Sequence, residues 1–162
     1  MADKDLRYPL TAFNFGVEIT MPGAASPLVG ASFSECDGLE MTMEVKTIRE
    51  GGNNSRQIRL TGPLAYGQLV LKRGMTRDRS LWDWFDNVMI DPTIRATAEV
   101  VMFAQLEGAL QPTARFILSS CLPVKLKAPA LNAKDGIVAI EELQVAYEQL
   151  SLKKPPEPET ES

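Results

Sequence analysis

The chain has 162 residues, of which 44% are hydrophobic and 23% are charged, and its formal net charge is −4. This composition fits one globular domain with a buried core, and the negative charge argues against a general nucleic-acid binder. The sequence has no His and no apolar run of the roughly 20 residues that a membrane helix needs, so we predict neither a metal site nor membrane insertion. Cys36 and Cys121 match no metal or redox spacing and are predicted to be buried free thiols.

Alternating apolar and polar residues predict three strands in the first third of the chain. The clearest is a half-buried strand with an apolar residue at every second position: Phe13, Phe15, Val17 and Ile19. A second strand is predicted around 31–35 and a third around 41–46, and the turn signal Asp37-Gly38 separates them.

Residues 46–60 are predicted to form a long hairpin that projects from the domain. The Gly and Asn residues at its tip take positive φ at low cost, and strand patterns lie on both sides of them. Such a hairpin is either a surface loop or an arm that contacts another molecule. The candidate contact residues for a second subunit are Lys46, Arg49, Glu50, Gly51, Gly52, Asn53, Asn54, Arg56 and Arg59.

The central stretch contains a predicted Gly62-Pro63 turn, a strand over 68–71 and the one convincing helix, around 79–91. Ser80 has the capping-box spacing of an N-cap residue, and Asp91 before Pro92 predicts the helix end. The residues at helical spacing that we assign to the core or to a seam between subunits are Leu81, Trp82, Phe85 and Val88.

The second half of the chain predicts strands over 97–104 and 114–119 around a turn at 108–112, then an extended segment over 124–128. Residues 137–150 are ambiguous: a helical stripe is slightly favoured, whereas a strand would need a bulge near Glu141-Glu142. We predict one domain over 1–152 and a disordered tail over 153–162, because Pro and Glu dominate the tail.

No motif for catalysis or a cofactor is found. The glycine spacing of 62–67 is that of a phosphate-binding loop, but Gln68 and Leu69 stand where Lys and Ser or Thr are required. Without a nucleophile–base pair or a metal-ligand set, we predict no enzyme and no cofactor. A basic cluster near the helix start could bind an anion or pair with acidic residues of a neighbouring subunit: Lys72, Arg73, Arg77 and Arg79.

Six segments, in this order, give the chain a resemblance to a known family. They are Tyr8-Pro9 with Phe13 to Val17, Phe33 to Leu39, Arg49 to Asn53, Leu69 to Gly74 with Leu81 to Trp84, Pro123 to Lys125, and Leu131 to Ala133. From 8 to 150 the sequence resembles the tail-tube (inner tube) proteins of contractile-tailed phages and contractile injection systems.

The resemblance implies two packed antiparallel sheets, a β-sandwich or barrel-like fold, with one helix at an edge. It also implies that 137–150 is a strand and that the 46–60 hairpin contacts the adjacent ring. Six copies would form a ring, and stacked rings would form a hollow conduit for DNA or effector cargo.

The expected partners are further copies of the chain, the sheath protein, baseplate or spike proteins, the tube terminator and the cargo. The expected location is a phage tail or injection particle assembled in the bacterial cytoplasm, since the polar 1–7 segment is unlike a secretory signal. Two alternatives stay open: a specialised tube initiator next to the spike, and a monomeric anion-binding module.

Overall fold

The computed structural model describes residues 14–31, 33–52 and 55–154, which form ten strands and one helix. The strands are β1 (Phe15–Thr20), β2 (Val29–Ala31), β3 (Glu35–Asp37), β4 (Met41–Arg49), β5 (Gln57–Tyr66), β6 (Gln68–Gly74), β7 (Ala96–Leu106), β8 (Ala109–Lys127), β9 (Ile140–Ala146) and β10 (Gln149–Lys153), and the helix is α1 (Ser80–Ile90). The predicted mainly β fold with one helix is therefore confirmed.

Strand β8 connects two antiparallel layers. Its first part pairs with β7 and β10, and residues Leu122–Lys127 pair with β9. The first layer is therefore β2-β1-β7-β8-β10 and the second layer is β8-β9-β6-β3. The strand changes layer near Ser120, whose φ of 55° is rare for a residue with a side chain, and the β7 register is irregular close by.

The core lies between the inward faces of the two layers, and α1 contributes to it. Strand β1 contributes Val17 and Ile19, while β6 and β9 contribute apolar residues at every second position. From α1, Leu81 and Trp84 are fully buried. Burial of each such side chain stabilises the fold by about 1.5–3 kcal/mol.

The start of α1 differs from the prediction. Ser80 is the first residue of the helix, and its side chain does not cap the helix, so its assignment as N-cap was wrong. Instead, Asp78 Oδ1 accepts hydrogen bonds from the Ser80 amide, at 3.0 Å, and from the Ser80 hydroxyl. These bonds hold the pKa of Asp78 below its usual value. The predicted end is confirmed, because α1 stops at Ile90, before Asp91.

The predicted turn at Gly62-Pro63 is wrong, because both residues lie inside β5. Met43 pairs with Leu64 and Val45 with Thr61, so Gly62 and Pro63 lie together opposite Glu44 as a β-bulge. A bulge tolerates a proline that has no amide hydrogen to donate. A Cβ on Gly62 would lie 2.7 Å from the Glu44 carbonyl oxygen, so the close strand pairing requires glycine there.

The predicted turn over 108–112 is shorter than expected. Glu107 and Gly108 both have positive φ and form a two-residue connection, whereas Pro112 lies within β8. Tyr8 to Phe13 and residues 155–162 lie outside the described residues. Lys153, where the tail was predicted to begin, pairs with Arg115 as the last residue of β10.

The helical preference for 137–150 is wrong. The family resemblance implied one strand there, and the structure has two, β9 and β10, with 137–139 outside them. No bulge forms at Glu141-Glu142, because the inward set begins with Glu141 and continues with Leu143 and Val145. A glutamate therefore occupies a core position in β9.

Glu141 can be buried because it has strong partners. Glu141 is 1% exposed and Arg73 is 4% exposed, and Arg73 Nε donates to Glu141 Oε1 at 2.5 Å. Trp82 Nε1 donates to Glu141 Oε2 at 3.2 Å, and the Arg73 guanidinium lies 5.7 Å from the Phe33 ring centroid. The ion pair thus joins β6, β9 and α1.

Strands β4 and β5 form a separate two-stranded sheet, whose base is held to the core by Tyr147. The Tyr147 hydroxyl donates to the Gly38 carbonyl at 2.7 Å and accepts from the Glu40 amide at 3.2 Å. Its ring lies 5.7 Å from that of Tyr66, and the Gly67 amide donates to the Glu40 carbonyl at 3.1 Å. Both ends of the hairpin therefore meet at one tyrosine.

The first prediction concerns the buried ion pair. Glu141→Ala would leave the Arg73 guanidinium buried without its main partner, so we expect a loss of ~3–5 kcal/mol in the free energy of unfolding. Urea denaturation followed by circular dichroism measures this loss. Glu148→Ala is the control, because Glu148 is exposed in the same segment. Equal midpoints for the two variants would contradict a structural role for the pair.

The second prediction concerns the base of the hairpin. Tyr147→Phe keeps the ring but removes the hydroxyl, so we expect a loss of about 1 kcal/mol and faster amide exchange around Glu40. Hydrogen exchange with mass spectrometry measures the local effect. The matched control is Tyr66→Phe, since the Tyr66 hydroxyl makes no hydrogen bond within the described residues. Equal exchange in both variants would show that the hydroxyl does not hold the base.

Candidate subunit interface

Strands β4 and β5 and the turn between them form an arm, which is the most exposed element of the described chain. Every residue of β4 is exposed, and the arm adds no residue to the buried core. It nevertheless carries large apolar side chains: Met41, Met43, Val45, Ile48, Leu60 and Leu64. Exposed apolar clusters of this kind mark interaction surfaces.

Strand pairing divides these side chains between two opposite faces of the arm. Near the base, one face carries what we call the proximal patch: Met41, Met43, Val45 and Leu64. Residues opposite each other in an antiparallel pair share a face, so Met43 lies beside Leu64. Met41 is 59% exposed and Val45 is 57% exposed, so their side chains are largely uncovered.

Nearer the tip, the opposite face carries the distal patch of Ile48, Ile58 and Leu60. Ile48 pairs with Ile58, and Leu60 pairs with Lys46. The bulge places two β5 residues opposite Glu44 and shifts the pairing beyond it by one residue. As a result, Ile58 and Leu60 lie on the same face as Ile48. The arm therefore presents one apolar patch on each face, at different distances from the domain.

The predicted contact residues of the arm lie on its surface. Those that the structure describes are all exposed: Lys46, Arg49, Glu50, Gly51, Gly52, Arg56 and Arg59. Asn53 and Asn54 lie outside the described residues. Sequence reasoning emphasised these charges and missed the apolar patches, because the alternation of Met41, Met43 and Val45 indicates a half-buried strand when no partner is known.

The predicted helix residues divide by burial. Leu81 is buried, whereas Trp82, Phe85 and Val88 are half-buried. The fully buried Trp84 was not among the predicted core residues. Trp84 lies three positions after Leu81, so the buried face of α1 is rotated slightly about the helix axis from the predicted face.

The predicted basic cluster does not gather into one site. Arg73 is buried against Glu141, and Lys72 Nζ lies 3.3 Å from Glu35 Oε2 on the surface. Arg77 and Arg79 are exposed in the segment that precedes α1. Two of the four charges are thus already paired, which weakens the case for an anion-binding pocket.

The two cysteines are free and have little reactivity. Burial raises the pKa of Cys121 to about 11, and burial together with the Asp37 charge raises that of Cys36 to about 11. Neither thiol therefore ionises appreciably near neutral pH. The described residues contain no group of side chains suited to a metal ion, and no helix among them is long and apolar enough to cross a membrane.

Comparisons with known proteins agree with this architecture. The family model for the T4-like virus tail tube protein gp19 matches residues 11–151. A comparison with curated proteins finds no match.

Among solved structures, the chain is similar to one in the 6-fold symmetrised baseplate of the anti-feeding prophage, with 28% identity, a TM-score of 0.80, and 91% of this chain and 97% of that chain covered. A chain of the PVC sheath-tube complex, from an extracellular contractile injection system in the extended state, has 15% identity, a TM-score of 0.76 and coverages of 92% and 94%. A crystal structure of an Hcp protein has 12% identity, a TM-score of 0.56 and coverages of 87% and 93%. These last two show a shared fold.

The family match spans both layers, α1 and the arm. The chain therefore belongs to the T4-like virus tail tube protein gp19 family.

Proposed function

We propose that the chain is a structural subunit of the inner tube of a contractile phage tail or contractile injection system. Six copies would form a ring, and rings would stack into a conduit for DNA or effector cargo. The observation that carries this proposal is the arm with an uncovered apolar patch on each face. The 6-fold symmetry of the similar baseplate structure supports the copy number.

Only Tyr66, at the base of the arm, packs against the core of its own chain. The exposed apolar side chains of the arm would be stabilised by burial against another copy. Two different patches on opposite faces fit a head-to-tail arrangement, in which each copy uses one surface as donor and another as acceptor. In our proposal the arm crosses the junction between stacked rings, and its charged residues set the register. Charges at the rim of an interface contribute more to orientation than to affinity.

A position next to the baseplate is the second candidate. Identity to the baseplate chain is 28%, against 15% for the chain from the sheath-tube complex. This difference favours a specialised subunit that joins the spike to the tube. For the tube as a whole, the proposed partners are the sheath, baseplate or spike and terminator proteins, and assembly would take place in the bacterial cytoplasm.

The third prediction tests the arm. Met43→Lys in the proximal patch and Ile48→Lys in the distal patch each place a charge where we propose apolar burial, so we expect folded subunits that form no tubes. Thr47→Lys is the control, because Thr47 is exposed on the same strand between the patches and pairs with polar Arg59. Negative-stain electron microscopy and mass photometry measure assembly, and a circular dichroism melt checks folding.

Tubes of normal length from both patch variants would contradict the proposed role of the arm. Wild-type protein that stays monomeric at every concentration, with or without a purified baseplate, would contradict the tube function itself. A monomer that binds polyphosphate through Arg77 and Arg79 would instead support the anion-binding alternative.

A further inference from the structure

The proximal patch of the arm contains two methionines, which are its oxidisable side chains. Met41 and Met43 lie two positions apart on β4, so they share a face of the strand at a spacing of about 7 Å. Met41 is 59% exposed and Met43 is 50% exposed, so both sulfurs are open to small reagents. Val45 and Leu64, which complete the patch, carry only saturated hydrocarbon and do not react with mild oxidants.

The strand that carries these methionines is fixed at its base. Met41 follows Glu40, whose amide donates to the Tyr147 hydroxyl and whose carbonyl accepts from the Gly67 amide. The backbone beside the two thioethers is therefore anchored to the domain. Their side chains nevertheless lie in solvent rather than in the core.

Hydrogen peroxide transfers one oxygen atom to a thioether. The sulfur lone pair attacks a peroxide oxygen, the O–O bond breaks, and methionine sulfoxide and water are formed. The sulfur loses two electrons and the peroxide gains them. The product is a polar, chiral side chain in place of an apolar one. Methionine sulfoxide reductases reverse the step, with a dithiol that becomes a disulfide while the oxygen leaves as water.

Oxidation of the two arm methionines would change assembly far more than it would change folding. In the separate chain the added oxygen meets water, so the free energy of unfolding should change little. Against another copy the same oxygen would lose its water, and a polar group buried without a hydrogen-bond partner is costly. The modification would therefore act on the contact that the arm makes with another copy.

Two exposed methionines outside the arm provide an internal comparison. Met75 is 48% exposed between β6 and α1, and Met89 is 66% exposed in α1. Met21 and Met102 are only half-buried, and Met21 packs against the core. Because oxidation of methionine depends on exposure, the described residues contain four readily oxidised sulfurs, of which two lie in the arm.

We propose that Met41 and Met43 form a reversible modification site, at which oxidation to methionine sulfoxide by a peroxide prevents the subunit from assembling through its arm. The two sulfurs are accessible in the separate subunit and would be covered after assembly, so an assembled tube would resist an exposure that inactivates free subunits. This inference rests on the proposed tube function and adds a chemical control of it.

The fourth prediction is a competition between oxidised and unoxidised wild-type subunits. Unassembled protein is partly oxidised with hydrogen peroxide, returned to assembly conditions, and separated by ultracentrifugation into tubes and unassembled chains. Peptide mass spectrometry measures the ratio of sulfoxide to methionine at each position. Because the sulfoxide would lose its water on burial, we expect this ratio at Met41 and Met43 to be at least about tenfold lower in tubes than in unassembled chains. The ratios at Met75 and Met89 should be equal in the two fractions.

Two double variants separate the arm from the other exposed sulfurs. Met41→Leu/Met43→Leu keeps the apolar volume without sulfur, so it should assemble equally well before and after peroxide treatment. Met75→Leu/Met89→Leu keeps the arm methionines, so after treatment it should need at least about tenfold more protein to assemble. Methionine sulfoxide reductases with dithiothreitol should reverse that effect. Mass photometry measures assembly, and circular dichroism checks that each treated chain stays folded.

Equal sulfoxide ratios at Met41 and Met43 in tubes and in unassembled chains would overturn the modification site and leave the tube proposal intact. The same loss of assembly in both treated double variants would also overturn it. If the variant without arm methionines fails to assemble untreated, the competition decides alone, because it uses only the wild-type chain. Untreated wild-type protein that forms neither rings nor tubes would instead refute the tube proposal, so the two failures are distinguishable.

Discussion

The fold depends on one strand that belongs to both of its layers. Because β8 pairs first with β7 and β10 and then with β9, a change in its path would alter both layers together. Strand β8 changes layer where Ser120 has a positive φ. The connection between β9 and β10 lies next to this point, because the Glu148 amide donates to the Ser119 carbonyl at 3.0 Å. The Arg73–Glu141 pair then holds α1 against the layer that β8 has entered.

The inward faces of the two layers and the surface of the arm have different roles. The inward faces bury their apolar residues, whereas the arm leaves comparable residues exposed and is held only at its base, around Tyr147. Burying a large apolar side chain contributes about 1.5–3 kcal/mol to stability. In a single chain the exposed apolar residues of the arm do not make this contribution. Burial of these side chains on assembly would make that contribution, which fits a family of tail tube proteins.

The sequence predicted elements whose local pattern and tertiary position agree. The alternation of Val17 and Ile19 in β1 and the helix stop before Pro92 are such cases. It failed where a distant partner decides. Gly62-Pro63 is a strong turn signal until β4 pairs beside it. The strand through Glu141 needs no bulge because Arg73 pairs with that carboxylate in the core. Likewise, the charged tip of the arm was recognisable, but the two apolar patches were not, because which face stays uncovered depends on the whole fold.

A chain with an exposed apolar arm also risks wrong association, because uncovered apolar patches promote aggregation. Charged residues beside exposed strands are a common protection, and the arm carries Lys46, Arg49 and Arg59 on the same strands as its patches. The two patches lie on opposite faces of the arm, so one flat surface cannot cover both. A partner that buries both patches must therefore contact both faces of the arm, which fits the proposed junction between rings better than contact with an unspecific surface.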